Sequence, residues 1–271
     1  MSDNFEFKTA AWQTDGAASR YDAGTKKAPQ LFQLVRQTIY IDYIRKYAEP
    51  GAKILDVGCG SGMIAMALHD LGYEVVAYDA SRDMLDYLEK AKGDRVIELR
   101  HGNGRTIPAE LGEFALTTSR MFIQHFSDWP TILAEKARVT RTNGIVLFDF
   151  GSQEHLDASG TSYEGGRGFP YDNDQTSYGT YYAVATAKAM ERQANALGLD
   201  VAEISPTGLL LYNGFLWNAL KSEGIETFNS GVDALLQKEG AREMLMLIER
   251  EILPKLPRSV TYCNMTALRK R

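Results

Sequence analysis

A glycine-rich loop between a short apolar run and a helical pattern is the feature that most constrains the fold of this chain. The loop spans residues 56–62, has glycine at positions 58, 60 and 62, and directly follows the apolar run 53–57. Glycine is required where a backbone turns sharply or approaches a ligand closely. A strand, a glycine loop and a helix in this order are typical of a doubly wound parallel sheet, whose ligand crevice lies beyond the strand ends.

The rest of the chain also alternates between apolar runs and amphipathic stretches, which favours a parallel sheet covered by helices on both faces. We predict a helix over each of the segments 29–47, 62–71, 81–91, 129–139 and 183–197, with Ser81 at a helix start and one or two further helices within 214–253. We predict strands over 53–57, 74–78, 96–99, 114–118, 145–150, 200–205 and 259–268, with a turn at Asn143-Gly144.

Composition and charge narrow the class of protein. The 271 residues are 44% hydrophobic and 24% charged, which excludes a disordered chain. The net charge of −5 weighs against broad nucleic-acid binding. Cys59 and Cys263 are the only cysteines, the N-terminus shows no signal-peptide pattern, and no apolar run approaches the ~20 residues of a membrane span. These features predict a soluble, cytoplasmic protein without membrane contact.

The residues around the loop indicate which ligand it holds. Asp79 closes the second strand 19 residues after Gly60, the spacing at which a carboxylate reaches the ribose hydroxyls of a nucleoside. A dinucleotide fingerprint needs a small residue at position 63, which is Met63, and no Gly-Lys-Ser/Thr of a phosphate loop follows. Asp56, two residues before the first glycine, is awkward for a pyrophosphate and suits a positively charged cofactor.

Residues 56–62 resemble the first motif, D-x-G-x-G-x-G, of the class I S-adenosylmethionine-dependent methyltransferases. The resemblance continues at 79–85 (D-x-S-x-x-M-L), at 102–104, at 118–125 and at 138–148. It implies a Rossmann-like, α/β fold with a doubly wound, mostly parallel sheet of seven strands whose last strand is antiparallel. It also implies S-adenosyl-L-methionine as the cofactor and S-adenosyl-L-homocysteine as the product.

The resemblance assigns cofactor binding to a set of loop residues, namely Asp56, Gly58, Cys59, Gly60, Gly62, Asp79, Ala80, Met84, Gly102, Asn103, Gly104, Ser119 and Arg120. Asn103 stands where the family often has Asp, and its amide oxygen can still accept from the adenine amino group. Arg120 is placed near the methionine carboxylate or a substrate anion, with a solvated side chain as the alternative. Cys59 has no base nearby and is interpreted as a small spacer.

Two residues are candidates for catalysis. His125 stands after the fourth strand, where a general base would lie, and histidine as a residue type can serve as one near neutral pH. The alternative is a hydrogen bond that braces the loop. Tyr21 belongs to an N-terminal Tyr-Asp pair that such enzymes often use as a lid over the cofactor. No His, Cys or Asp cluster has metal-ligand spacing, so we predict no metal.

The prediction divides the chain into an N-terminal helical lid (1–49), a cofactor-binding core (50–150) and a C-terminal part (151–271). The last part contains a substrate-facing loop (151–182) and a helical insertion (about 206–257) before the last strand. A local group of tyrosines in the loop suits either a planar substrate or packing on the sheet edge, namely Tyr163, Tyr171, Tyr178, Tyr181 and Tyr182.

We therefore expect methyl transfer to an O or N atom of a small-molecule metabolite. One alternative is a transfer-RNA wobble-uridine carboxylate methyltransferase, which residues 207–212 and 262–270 weakly resemble and which the cations at 269–271 favour. The other is a non-catalytic protein that binds S-adenosylmethionine.

Overall fold

The structure, a computed structural model, describes residues 12–27, 30–126, 128–159, 183–207 and 222–271. Its helices are α1 (Ala17–Lys27), α2 (Gln30–Tyr47), α3 (Met63–Asp70), α4 (Arg82–Ala91), α5 (Trp129–Val139), α6 (Gln153–Ser159), α7 (Ala187–Ala196), α8 (Ser222–Leu235) and α9 (Ala241–Leu247). Its strands are β1 (Lys53–Val57), β2 (Glu74–Asp79), β3 (Glu98–His101), β4 (Phe114–Ser119), β5 (Thr140–Ser152), β6 (Val184–Ala185), β7 (Leu199–Thr207) and β8 (Cys263–Lys270).

One mixed sheet organises these elements, in the order β3-β2-β1-β4-β5-β8-β7. The pairs among β1 to β5 are parallel, whereas β8 runs antiparallel to both β5 and β7. The predicted Rossmann-like α/β architecture with an antiparallel last strand is therefore confirmed. The number of strands is corrected from seven to eight, because β6 pairs with Gly151 and Ser152 of β5. A two-residue strand is too short to produce a recognisable hydrophobic period.

The central strands are buried on both faces, as expected for parallel strands covered by helices. Ile54, Leu116 and Leu147 pack with α2 and α3 on one face. Phe148 and Phe150 pack with α5 and α7 on the other face. This two-sided core fixes the C-terminal ends of β1, β4 and β5 as a rigid edge on which loops can be positioned.

Several predicted boundaries differ from the structure, among them the third strand, which spans Glu98–His101 rather than 96–99. Two of the differences have local reasons. Asn143-Gly144 lies inside β5 rather than between two elements. At this point β5 contains an irregularity, since its register with β4 jumps from Phe114↔Thr140 to Leu116↔Ile145. Asn143 absorbs the irregularity with a left-handed backbone (φ 61°). The last strand begins at Cys263 rather than 259, since Arg258–Val260 forms a 3-10 turn.

Part of the predicted substrate-facing loop 151–182 is regular structure, because Ser152 ends β5 and α6 follows it directly. Residues 160–182, with all five tyrosines of that loop, and residues 208–221 of the predicted insertion lie outside the described residues. The described part of the insertion forms α8, α9 and a π-helical turn, Ile248–Ile252, so it is helical as predicted.

The three C-terminal cations brace the end of the sheet. Arg269 donates to the carbonyl of Asn143 at 2.9 Å. Lys270 donates to the carbonyl of Thr140 at 2.6 Å, and Arg271 pairs with Asp200 at 2.7 Å. Each of these side chains therefore has a partner within the fold that accounts for its position.

Candidate active site

The sheet order places a ligand crevice between β1 and β4. From β1 the chain continues to β2 on one side, and it later returns to β4 on the other, so the loops after β1 and β4 diverge at this point. In open α/β sheets such a switch point is where ligands bind. The loop after β1 is the predicted glycine loop, and the loop after β4 begins at Arg120.

The three alternate glycines of the first loop have different neighbours. All three have left-handed backbones, with φ of 73° at Gly58, 54° at Gly60 and 85° at Gly62. A Cβ on Gly58 would overlap the ring of Phe122, and one on Gly62 would overlap the buried side chain of Leu88. A Cβ on Gly60 would meet no atom within 4 Å. Gly58 and Gly62 therefore serve packing, and Gly60 is the position where the backbone faces open space.

Asp79 ties the end of β2 to the glycine loop. Its Oδ2 accepts the backbone N–H of Gly60 at 2.8 Å, and its Oδ1 accepts the N–H of Ser81 at 2.8 Å. Burial raises the pKa of Asp79, while these N–H donors oppose the rise. Ser81 caps α4 by accepting the N–H of Met84 at 3.2 Å, so the predicted helix start is confirmed.

The turn after β3 lies next to the same crevice. The Tyr78 hydroxyl donates to the carbonyls of Asn103 at 3.2 Å and Thr106 at 2.9 Å, and a Cβ on Gly102 would overlap that hydroxyl. The Asn103 side chain is exposed, and its Oδ1 accepts the N–H of Arg105 at 3.0 Å. A carbonyl oxygen has a second lone pair, so this bond leaves Asn103 one acceptor site.

Phe122 lies between the two loops that carry predicted cofactor residues. Its ring occupies the space next to Gly58 and is 3.2 Å from where a Cβ on Gly104 would stand. The ring also packs edge-on against Phe126 at 5.1 Å between centroids. Sequence reasoning did not single out Phe122.

Asp56 is a buried carboxylate at the end of β1. Its Oδ2 has no hydrogen-bond partner among the described residues. Burial raises the pKa of Asp56 to about 7, while the positive charges of Lys136 and Arg120 oppose the rise. An unpartnered buried carboxylate oxygen is costly, so this atom marks a place where a donor or cationic group of a ligand would be favourable.

Helix α2 contributes two site residues that the sequence analysis missed. The buried hydroxyl of Tyr40 donates to the carbonyl of Ser119 at 2.6 Å and accepts from the Thr118 hydroxyl at 2.9 Å. One turn earlier, Arg36 places Nη2 at 2.7 Å from the sulfur of Met121 and 3.2 Å from the Tyr262 hydroxyl. Both side chains therefore reach the loop after β4.

That loop turns sharply over a second buried carboxylate. Met121 has a left-handed backbone (φ 49°), which is uncommon outside glycine and asparagine. Its N–H donates to Oδ1 of Asp149 at 2.6 Å. Burial raises the pKa of Asp149, while the charges of Arg36 and Arg120 oppose the rise.

Lys136 is a further residue that the sequence analysis missed, and it is fully buried beneath the crevice. Its ammonium donates to Oγ of Ser119 at 2.6 Å and to the carbonyl of Leu147 at 3.1 Å. Burial lowers the pKa of Lys136 to about 7, while Asp56 and Asp149 oppose the fall. The signal was available, since Lys136 follows Ile132 and Leu133 on the buried face of α5.

The two predicted catalytic residues lie in different flanks of the site. Tyr21, on α1, packs edge-on against Trp12 at 5.7 Å between ring centroids. The N-terminal segment that carries Tyr21 binds to residues that follow β2. Ser81 donates to the carbonyl of Trp12 at 2.5 Å, and Asp83 accepts from the N–H of Ala18 at 2.7 Å. His125 is half-buried at the end of a 3-10 turn after Met121, on the β4 side.

Comparison with known proteins supports the same assignment of the core. Residues 55–148 match the family described as "Methyltransferase domain". The chain is 33% identical over 101 residues to malonyl-[acyl-carrier protein] O-methyltransferase from Serratia marcescens, which covers 37% of this chain and 39% of that protein. It is 37% identical over 106 residues to demethylmenaquinone methyltransferase from Bacillus pumilus (strain SAFR-032), and this alignment covers 36% of this chain and 45% of that protein.

Residues 55–148 therefore resemble a methyltransferase domain. The fold agrees, since magnesium protoporphyrin IX methyltransferase from Synechocystis PCC 6803, solved with bound S-adenosylhomocysteine, superposes with a TM-score of 0.53 at 11% identity. That similarity covers 89% of this chain and 84% of the solved one. The chain spans less than half the length of the curated relatives it matches.

The structure brings most of the predicted cofactor residues together around the crevice. The loops that carry Asp56, Gly60, Asp79 and Asn103 meet at the C-terminal edge of β1 and β2. Ser119 and Arg120 lie across the crevice at the end of β4. Within the described residues, no helix is long and apolar enough to cross a bilayer. In that same part of the chain, no group of three or more His, Cys, Asp or Glu residues forms a metal-binding cluster.

Proposed function

We propose that the chain binds S-adenosylmethionine in the crevice between β1 and β4 and catalyses transfer of its methyl group to an O or N atom of a small-molecule metabolite. The observation that carries the proposal is the pairing of Asp79 with Gly60. This hydrogen bond holds an acidic residue beside the one loop glycine that faces open space.

The residues of the crevice fit this cofactor. The unpartnered carboxylate oxygen of Asp56 suits the ammonium end of a cationic ligand. Asp79 keeps lone pairs for ribose hydroxyls beyond its two backbone bonds, and Asn103 keeps one acceptor site for the adenine amino group. The sulfonium of S-adenosylmethionine supplies an activated methyl group. When the acceptor takes the methyl group, the electron pair of the broken carbon–sulfur bond stays on sulfur, which becomes a neutral thioether.

The contribution of the protein is then mainly alignment and exclusion of water. Orientation of reacting groups can supply several kcal/mol, up to roughly 7–11 in favourable cases. The anchored loop after β4 and the N-terminal segment that binds Ser81 are the elements that would orient an acceptor. We assign His125 as a general base for a protonated acceptor and Tyr21 to the lid, both on the family resemblance.

One observation in favour of the transfer-RNA alternative, the group of cations at 269–271, has another explanation. The cations at 269–271 bond to the carbonyls of Asn143 and Thr140 and to Asp200, so they have a structural explanation. The similarity to demethylmenaquinone methyltransferase, which is named for a small-molecule substrate, favours a metabolite acceptor.

The proposal is tested by incubating the full chain with S-adenosylmethionine labelled on the methyl group, together with a bacterial small-molecule extract or purified transfer RNA. We expect label in the small-molecule fraction, absent with Asp79→Asn. Label in transfer RNA instead would favour the RNA alternative. Cofactor binding with no transfer to any fraction would favour a non-catalytic binding protein.

A further inference from the structure

We propose that Tyr40 and Lys136 are positioning residues for the methyl transfer. They hold Ser119, the last residue of β4, from helices on opposite faces of the sheet, and thereby fix the turn at Arg120 and Met121 beside the crevice. This inference rests on the proposed function and deepens it, because it identifies what aligns the acceptor side of the site. It also assigns Ser119 to supporting that turn rather than to contacting the cofactor.

The Tyr40 hydroxyl reaches the end of β4 from α2. The side chain is buried, and its hydroxyl donates to the carbonyl of Ser119 at 2.6 Å. The same oxygen accepts from the Thr118 hydroxyl at 2.9 Å and from the N–H of Ser119 at 3.3 Å. A hydroxyl offers one hydrogen and two lone pairs, so the full hydrogen-bonding capacity of Tyr40 is directed at two consecutive residues of one strand end.

Lys136 reaches Ser119 from α5, on the other face. Its fully buried ammonium donates to Oγ of Ser119 at 2.6 Å and to the carbonyl of Leu147 at 3.1 Å. The N–H, the carbonyl and the hydroxyl of Ser119 thus all have partners within the fold. Burying an ammonium costs free energy that an apolar side chain at this position would not, which favours a role for Lys136 beyond stability.

The turn after Ser119 is also held at its other end. Met121 has a left-handed backbone, with φ of 49°, and its N–H donates to Oδ1 of the buried Asp149 at 2.6 Å. Only Arg120 lies between the two fixed residues. An unfavourable backbone conformation persists where the surrounding contacts over-determine it, and such residues cluster at active sites. Releasing Ser119 would therefore give this turn freedom that the native contacts remove.

Alignment is what such a turn can contribute to methyl transfer. A misplacement of about 1 Å can lower a reaction rate about 100-fold. The loop after β4 faces the loop after β1 across the crevice, so a shift of residues 119–121 would move the acceptor side relative to the cofactor. The opposite side is tied separately by the bond between Asp79 and Gly60. Loosening Ser119 should therefore change transfer more than cofactor affinity.

The test measures transfer of labelled methyl groups to a bacterial small-molecule extract, over a dilution series of the extract and at saturating S-adenosylmethionine. Tyr40→Phe keeps the ring and removes the hydroxyl, and Lys136→Met keeps a long side chain and removes the ammonium. We expect each to lower the maximal rate about 10- to 100-fold. The half-saturating extract concentration and the affinity for S-adenosylhomocysteine should both stay within about threefold, since the lost contacts act on alignment in the transition state.

Tyr47→Phe is the matched control on the same helix. The Tyr47 hydroxyl donates to Glu203 at 2.6 Å, two helical turns beyond Tyr40. This variant should lose stability in urea and keep the native maximal rate. Urea unfolding also establishes that each variant is folded under the assay conditions. Where Lys136→Met does not fold, Ser119→Ala removes the same hydrogen bond with a smaller change.

A native maximal rate in Tyr40→Phe or in the variant that lacks the Lys136 bond would overturn the role of that residue. The proposal is also overturned if Tyr47→Phe slows transfer equally, because any loss of stability would then explain the effect. A loss of S-adenosylhomocysteine affinity as large as the loss of rate would place Ser119 on the cofactor instead. If the native chain transfers no label, the proposed function fails, and this inference fails with it.

Discussion

Asp79 accepts the backbone N–H of Gly60 at 2.8 Å, so the residue that ends β2 fixes the loop that follows β1. This bond joins two segments 19 residues apart in sequence at the opening of the crevice. The acidic residue therefore has a structural role in addition to the ribose contact predicted from its spacing. Both roles depend on its carboxylate, and a single substitution tests them together.

Asp79→Asn should weaken S-adenosylmethionine binding by about 10- to 100-fold, because a hydrogen bond to a charged group contributes about 1.5–3 kcal/mol. Calorimetry on the folded variant measures the change. Asp70→Asn is the matched control, since Asp70 pairs with Arg95 on the surface. Equal affinity for the native chain and Asp79→Asn would remove the ribose assignment.

Gly62→Ala should mainly lower the stability of the fold, whereas Gly60→Ala should mainly lower the affinity for the cofactor. Both variants place alanine in a left-handed backbone, which lowers the free energy of unfolding by about 1–2 kcal/mol. Only Gly62→Ala also overlaps Leu88, which is buried and cannot move freely, and overpacking adds about 1–3 kcal/mol. Urea unfolding should therefore show the larger loss of stability for Gly62→Ala.

Gly60→Ala should retain most of its stability and lose cofactor affinity, because its new methyl group points into the open space assigned to the ligand. Titration with S-adenosylhomocysteine reports this directly. Native affinity in Gly60→Ala would show that the cofactor does not approach that backbone.

Lys136→Met should reveal the buried ammonium through the pH dependence of stability. Burial lowers the pKa of folded Lys136 to about 7, whereas an unfolded lysine titrates near ~10.4. Between these values the unfolded chain binds a proton that the folded chain has released, so native stability gains from rising pH. The variant lacks this gain. The free energy of unfolding of the native chain minus that of the variant should rise from about pH 7 to about pH 10.

Urea unfolding at four pH values across that window measures the difference, with the exposed Lys238→Met as the control for losing a lysine from the surface. A difference that stays constant or falls with pH would mean that Lys136 is not perturbed by burial.

His125→Gln should slow turnover of the identified acceptor by about 10²- to 10⁴-fold if it serves as a general base. Cofactor affinity should stay unchanged, because a general base contacts the acceptor and not the cofactor. Steady-state rates and calorimetry on the same preparation separate the two effects. Unchanged turnover would assign His125 to bracing its loop.

The core of the fold was predictable because its signals are local. The glycine loop, the acidic residue at the end of β2 and the Ser81 cap each follow from spacing within a few residues or one βαβ unit. Helix α5 matches its predicted bounds, residues 129–139, exactly as the apolar spacing indicates. The eighth strand was missed because β6 has two residues and exists only through pairing with β5.

The acceptor side of the site was not predictable in the same way. Arg36 and Tyr40 lie within an apolar helical pattern, and nothing local shows that they reach the loop after β4, about 80 residues later. Asp149 and Lys136 did carry a signal, since each is a charged residue in an otherwise apolar strand or helix face. A charged residue in such a position is rarely buried unless it is paired.

The central claim is that the crevice between β1 and β4 holds S-adenosylmethionine rather than a dinucleotide. Its most direct test is calorimetric titration of the full chain with S-adenosylmethionine and, separately, with NAD. The account predicts saturable binding of S-adenosylmethionine and no measurable heat with NAD under the same conditions. Preferential binding of NAD would contradict it.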